Sequence, residues 1–299
     1  MAVSSRIAGT ASRISAMTAV IVAVLGLGAG ATSAEPQRFT HYVALGDSYT
    51  SGPLIPLQRL DPVGCGRSTN NYPARLAARI GLAHYTDVSC GGATTANMIT
   101  PQSVLLGVNG PQFNALSAET DLVTLGIGGN DYQVFGNAVN VCPTLRASDP
   151  TGAPCQRHFT VNGVDTLRAS IDKTQQNVIN VLTGVHQRSP KAEVLVVGYP
   201  RIAPPAGYCP DILPFADGDY RYLDSIEQAL DNALATAAKT AGAVYVDTYG
   251  PSLGHDACAP DGAAWINGRS LSPVALTYHP FESGMAAEAA IIAKVLAGP

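Results

Sequence analysis

The sequence predicts an α/β fold, a three-layer α/β/α sandwich built on a central parallel sheet. Two observations carry that expectation. Short apolar runs of strand length alternate along the chain with segments whose apolar residues recur at helical spacing. Two of the apolar runs also end in glycine-rich turns, Gly46-Asp47-Ser48 and Gly128–Asp131. In open parallel sheets, ligands sit outside the carboxyl ends of the strands, so these turns are expected to meet at one sheet edge.

The elements follow in order. Phe39–Leu45 is a β-rich apolar run, Tyr72–Ile80 reads as a helix closed by Gly81, and His84–Ser89 reads as a second strand. Asp121–Leu125 is a buried strand. Val164, Leu167, Ile171, Val178, Val181, Leu182 and Val185 mark a long amphipathic helix that stops before Pro190. Val194–Val197 is a strand ended by Gly198 and Pro200. Leu223, Ile226, Leu230, Leu234 and Ala237 mark a second long helix with Gly242 as its C-cap. Ala243–Asp247 makes a fifth strand and Glu282–Leu296 a last helix. The stretches Thr50–Thr69, Asn137–Asn162 and Arg201–Asp219 read as long loops, each holding at least one cysteine.

The amino terminus reads as an export signal. Arg6 and Arg13 precede an apolar run from Ala16 to about Leu27, followed by small residues. Residues 1–34 therefore read as a signal peptide cleaved after Ala31 or Ala34, leaving residues 35–299 as a single domain. A membrane anchor is the weaker reading, because a spanning helix needs about 20 predominantly apolar residues. Without the two arginines, 16 of the 18 basic residues stand against 22 acidic ones. No basic patch is evident, so nucleic acid is not an expected partner. The protein is expected outside the cell, free or near the cell wall, and as a monomer.

Cys65, Cys90, Cys142, Cys155, Cys209 and Cys258 all follow the signal segment. An even set in an exported chain suggests three disulfides, and pairing neighbours in sequence gives Cys65–Cys90, Cys142–Cys155 and Cys209–Cys258. The absence of a Cys-x-x-Cys pair makes metal binding the weaker reading.

Ser48 sits just after a strand, where a strand-to-helix turn exposes a side chain beside backbone N–H groups. By itself Gly-Asp-Ser is an ordinary turn. Three further segments join it: Ser89-Cys90-Gly91-Gly92-Ala93-Thr94, Gly128-Gly129-Asn130-Asp131 and His279-Pro280. Each also has a plain structural reading. Gly92 could serve a tight turn, Asn130 could cap a helix, and His279 could be a buried structural histidine.

In this order and spacing, the set resembles the SGNH hydrolases, also called GDSL lipases and esterases. The first block here is Ala44-Leu45-Gly46-Asp47-Ser48-Tyr49-Thr50-Ser51-Gly52. The six cysteines and the Gly254–Cys258 segment are similar to the disulfide-bonded actinobacterial branch. The resemblance implies a flavodoxin-like sheet, Ser48 as nucleophile and His279 as general base. It further implies an oxyanion hole made by the Ser48 N–H, the Gly92 N–H and the Asn130 side-chain amide. Asp47 and Asp131 are expected to hold the turns. No cofactor or metal is implied.

One departure is plain. Most of the family has an acid three residues before the histidine, and here that residue is Leu276. A Ser48–His279 dyad is therefore expected, with the Leu276 backbone carbonyl orienting the imidazole. The implied function is hydrolysis of acyl esters as a lipase or carboxylesterase. Carbohydrate acetylesterase activity is the alternative, and a catalytically silent secreted binding protein is the alternative from another class. His186 is expected near a helix C-terminus, His255 in a loop-stabilising role, and Trp265 in the core.

Overall fold

A computed structural model describes residues 38–298 of the 299-residue chain. The segment read as a signal peptide and both of its cleavage positions lie outside the described residues. Five strands form one parallel sheet: β1 (Tyr42–Gly46), β2 (Thr86–Asp87), β3 (Leu122–Gly126), β4 (Glu193–Val197) and β5 (Val244–Val246). Their spatial order is β2-β1-β3-β4-β5. The chain leaves β1 toward one side of the sheet and leaves β3 toward the other, so the topological switch point lies between β1 and β3.

Four long helices cover the sheet: α1 (Tyr72–Arg79), α2 (Thr166–Arg188), α3 (Asp219–Ala241) and α4 (Glu282–Ala297). The period-two alternation of strand side chains divides the core in two. Val43, Leu45, Val123, Leu125, Val194 and Val196 pack with α2 and α3. Tyr42, Ala44, Leu122, Leu195 and Val197 pack with α1 and α4. The central strands β1, β3 and β4, buried on both faces, are mostly apolar, which is why they are visible in the sequence. Among the described residues, no helix is long and apolar enough to cross a membrane.

Three expectations change in detail. The second strand shrinks to Thr86–Asp87 because the Asp87 carboxylate takes the Ser89 N–H at 3.0 Å. The segment still follows β1, through Val88 N–H to Ala44 O and Cys90 N–H to Gly46 O. Val164 is not on the long helix. Asp165 caps that helix by accepting from the Leu167 and Arg168 N–H groups, and Val164 falls in a small hairpin with Val161. The expected loop at 137–162 contains helical turns, among them Cys142–Leu145 and Pro154–Phe159.

The disulfides are Cys65–Cys90, Cys142–Cys155 and Cys209–Cys258, the pairing of sequence neighbours. Each closes a loop whose chain-entropy contribution is about 2–4 kcal/mol. Gly242 ends α3 in the left-handed conformation, and His186 lies in the last turn of α2. His255 donates its Nδ1–H to the Ala263 carbonyl and stacks on half-buried Trp265, 4.5 Å between ring centres.

Candidate active site

The register of β1 and β3 builds the site. Gly46 pairs with Gly126, so the turns that follow the two strands leave the sheet at the same height. The Asp47 N–H donates to Gly126 O at 2.9 Å, tying the turns together. Ser48 then opens a short helix, Ser48–Ser51, which Asp47 caps by accepting from the Tyr49 N–H. Only glycine fits at position 46, since a Cβ there would lie 2.2 Å from Thr50 Oγ1 and 2.6 Å from Gly126 O. The buried Gln112 amide grips Gly46 from the side, accepting from its N–H at 2.8 Å and donating to its carbonyl at 2.9 Å.

His279 comes from the loop before α4. Its Nε2 is 2.8 Å from Ser48 Oγ, and both side chains are buried. Its Nδ1 is 2.7 Å from the carbonyl of Thr277. The carbonyl at Nδ1 is therefore that of Thr277 and not that of Leu276. Leu276 O is turned to other donors: the His279 N–H at 3.1 Å and the Asn267 side-chain amide at 3.2 Å. Tyr278, between Thr277 and His279, has a φ of 61°, a strained left-handed conformation for a bulky residue. Its carbonyl accepts the Tyr49 hydroxyl at 2.6 Å, which pins this turn against the Ser48 helix. The imidazole packs against the rings of Tyr49 and Phe135, which also contact each other.

Gly92 follows the Cys65–Cys90 bridge and has a φ of 74°, which a side chain would make costly. The bridge places Cys65 O to accept the Gly91 N–H at 2.8 Å, and Gln102 holds the Gly91 carbonyl. The Asn130 side chain makes no helix cap. It donates to Ala93 O at 3.0 Å, so it joins the β3 turn to the Gly92 segment and keeps its second N–H for another acceptor. Asp131 reinforces this junction, accepting from the Thr95 N–H and hydroxyl and from Asn177. Asp47 and Asp131 thus hold turns, as expected from sequence. Tyr199, just past β4, is a connection the sequence reading missed. Its hydroxyl accepts the Gly129 N–H at 2.9 Å and donates to Asp47 at 2.6 Å. Its place directly after an apolar strand was the available signal. From Ser48 and Asn130 an apolar pocket runs inward, lined by Val134, Phe135, Ile202, Phe215, Leu223 and Leu230 among others. Trp265 is not part of it.

Comparison with known proteins fits this geometry. The model of the GDSL-like lipase/acylhydrolase family matches residues 44–287. The chain is 42% identical to Lipase 2 of Streptomyces coelicolor, over 86% of this chain and 90% of that one. Among solved structures, phospholipase A1 of Streptomyces albidoflavus superposes with a TM-score of 0.70 at 25% identity, covering 86% of this chain and 99% of that one. The extracellular lipase of Streptomyces rimosus gives 0.70 at 26% identity, covering 85% and 99%. The chain belongs to the GDSL-like lipase/acylhydrolase family. It is a carboxylic ester hydrolase with the α/β sandwich that the sequence predicts.

The electrostatics of this hydrolase are dominated by burial. Burial lowers the His279 pKa to about 4, because charging the imidazole inside the protein is costly, and the Thr277 carbonyl only partly offsets that. Burial also raises Asp47 to about 7, against the hydrogen bonds from Tyr199 and Tyr49 that favour its charged form. Asp231, which accepts the Tyr199 N–H at 2.9 Å, is likewise raised by burial to about 7. Carboxyls whose folded pKa lies above the unfolded value bind protons more tightly in the folded state. Their stabilising contribution is full below about pH 4 and is lost as pH rises through about 7. Each contributes on the order of 4 kcal/mol across that window. The expected result is a thermal midpoint higher at pH 5 than at pH 8, with the difference reduced in Asp231→Asn. A midpoint that rises steadily from pH 5 to pH 8 would contradict these assignments.

Proposed function

We propose that the chain is an exported lipase or carboxylesterase that works through a Ser48–His279 dyad and an acyl-enzyme. The observation that carries this reading is the 2.8 Å contact of Ser48 Oγ with His279 Nε2 at the mouth of an apolar pocket. Ser48 Oγ attacks the ester carbonyl carbon while Nε2 takes its proton. The N–H groups of Ser48 and Gly92 and the Asn130 amide receive the oxyanion. His279 then returns the proton to the departing alcohol and activates water to release the acid. The Thr277 carbonyl keeps Nδ1 protonated, so that Nε2 is the basic nitrogen. No carboxylate is needed for that orientation, although a carbonyl stabilises the imidazolium less well. Export is supported by the composition of residues 1–34 and by three disulfides, which persist in oxidising compartments. Residues 35–299 act as one catalytic domain.

The apolar pocket favours acyl chains over acetyl groups. The test is a chromogenic ester series from acetate to palmitate. An optimum at medium or long chains is the expected result. An optimum at acetate, with activity on acetylated sugars, would establish the acetylesterase reading instead. Absence of turnover on every ester would leave only the silent binding protein. A second test uses pH. Protonation of His279 removes the base, so kcat/KM is expected to hold level on the acid side until about pH 4 and to fall below it. An acid limb centred on pH 6 or above would show that His279 is not held as described.

A further inference from the structure

The Gly92 N–H shares a peptide unit with the Gly91 carbonyl, and in a planar trans peptide the two point in opposite directions. Whatever holds that carbonyl therefore sets where the Gly92 N–H is aimed. Gln102 Nε2 donates to Gly91 O at 2.7 Å. The Gly92 N–H itself has no hydrogen-bond partner among the described residues, so a free donor faces away from Gln102.

This peptide unit is the one its surroundings leave loose. The Ala93 N–H donates to Cys90 O at 3.0 Å, which closes a β-turn with Gly91 and Gly92 at its centre. Gly92 has a φ of 74°, the sign that the third residue of a type II turn requires. Turning the central peptide over gives a type I turn, keeps the Cys90–Ala93 bond and reverses the Gly92 N–H. Two glycines make that reversal sterically easy. The Gly91 N–H bond to Cys65 O fixes the peptide before it, and the Ala93 N–H bond fixes the peptide after it. Among the described residues, only Gln102 ties the central one. Gln102 comes from a hairpin, Gln102–Val104 with Gly107–Asn109, which is anchored in turn. Leu105 O accepts the Gly64 N–H at 3.1 Å, and the Asn109 amide donates to Val88 O at 3.2 Å.

We infer that Gln102 is a positioning residue for ester hydrolysis, holding the Cys90–Ala93 turn in the form that leaves the Gly92 N–H free for the oxyanion. In the reversed turn the Gly91 carbonyl takes the place of that N–H and sets a lone pair toward the developing charge. This inference rests on the reading that the Gly92 N–H is an oxyanion donor.

The experiment compares the wild type with Gln102→Met, which keeps the length and loses the donor, and Gln102→Glu, whose ionised carboxylate repels the Gly91 carbonyl. On an octanoyl ester, kcat is expected to fall about tenfold in Gln102→Met and further in Gln102→Glu, with KM held within about twofold. The second readout is a trifluoromethyl ketone. Ser48 Oγ bonds to its carbonyl carbon, the serine proton passes to His279 Nε2, and the carbonyl oxygen becomes a tetrahedral oxyanion. With isotope-labelled glycine, the Gly92 amide proton is expected to move downfield in the wild-type adduct and much less in either variant. Thermal midpoints check folding, and two variants of different chemistry keep the test open if one fails to fold. Unchanged kcat in the folded variants overturns the role of Gln102. So does a lower kcat with the full Gly92 shift retained, the mark of a merely structural loss. A wild-type adduct that leaves the Gly92 proton unmoved overturns instead the reading of Gly92 as a donor.

Discussion

Ser48→Ala is expected to lower kcat on esters by about a million-fold, His279→Ala by a similar factor, and the double variant by no more than either alone. The reasoning is geometric. Ser48 Oγ and His279 Nε2 are 2.8 Å apart and act as one unit, so removing either partner removes nucleophilic attack altogether. What remains is the oxyanion donors acting on water. The variants should fold, because Ser48 and His279 are held mainly through their backbones. Gly52 N–H donates to Ser48 O, His279 N–H to Leu276 O, and Asn267 N–H to His279 O. The check is single-turnover hydrolysis of an octanoyl ester, with the thermal midpoint as the folding control. An activated aryl phosphonate ester should add its mass, less that of the phenol it expels, to the wild type and not to Ser48→Ala. Ser48→Ala retaining more than about one per cent of wild-type kcat, far above the residual catalysis of donors alone, would place the nucleophile elsewhere. The orienting group has no side-chain equivalent to delete, since Thr277 acts through its carbonyl. Thr277→Ala is therefore expected to leave kcat within a few-fold, whereas an acid in that role would be severely sensitive to substitution.

Much of this architecture was legible because a parallel sheet buried on both faces leaves mostly apolar runs, such as Tyr42–Leu45 and, with Thr124 as its one polar residue, Leu122–Leu125. The turns after those runs were legible too, since ligand sites gather at strand carboxyl ends. What stayed hidden depends on distant partners or on a single backbone torsion. Gln112 holds Gly46 across 66 residues and Tyr199 holds Asp47 across 152, and no local pattern announces either bond. The choice of Thr277 over Leu276 follows from Tyr278 at positive φ, which tyrosine does not advertise. The short β2 reflects one competing side chain, Asp87, on its own backbone. The acyl pocket draws its walls from the segment after Asn130, the loop after β4 and α3, so its shape belongs to the assembled fold.

Asn130→Ala is expected to lower kcat by about 100- to 1000-fold while KM changes little. A donor aimed at the oxyanion strengthens as charge develops and adds little to ground-state binding, so its loss appears in kcat. The competing account is structural, because Asn130 also donates to Ala93 O and thereby positions the Gly92 segment. Asn130→Asp separates the two. Alanine and ionised aspartate both lose the bond to Ala93, but only aspartate brings a negative charge beside the developing oxyanion. An electrostatic role therefore orders kcat as asparagine, then alanine, then aspartate, with the last below alanine at pH 7. Lowering the pH enough to protonate the introduced carboxyl, in the Asn130→Asp variant alone, should recover part of the loss by restoring a donor. Equal kcat for the alanine and aspartate variants, with no recovery in acid, would assign the whole effect to the Ala93 tie, and the oxyanion would then rest on the Ser48 and Gly92 N–H groups.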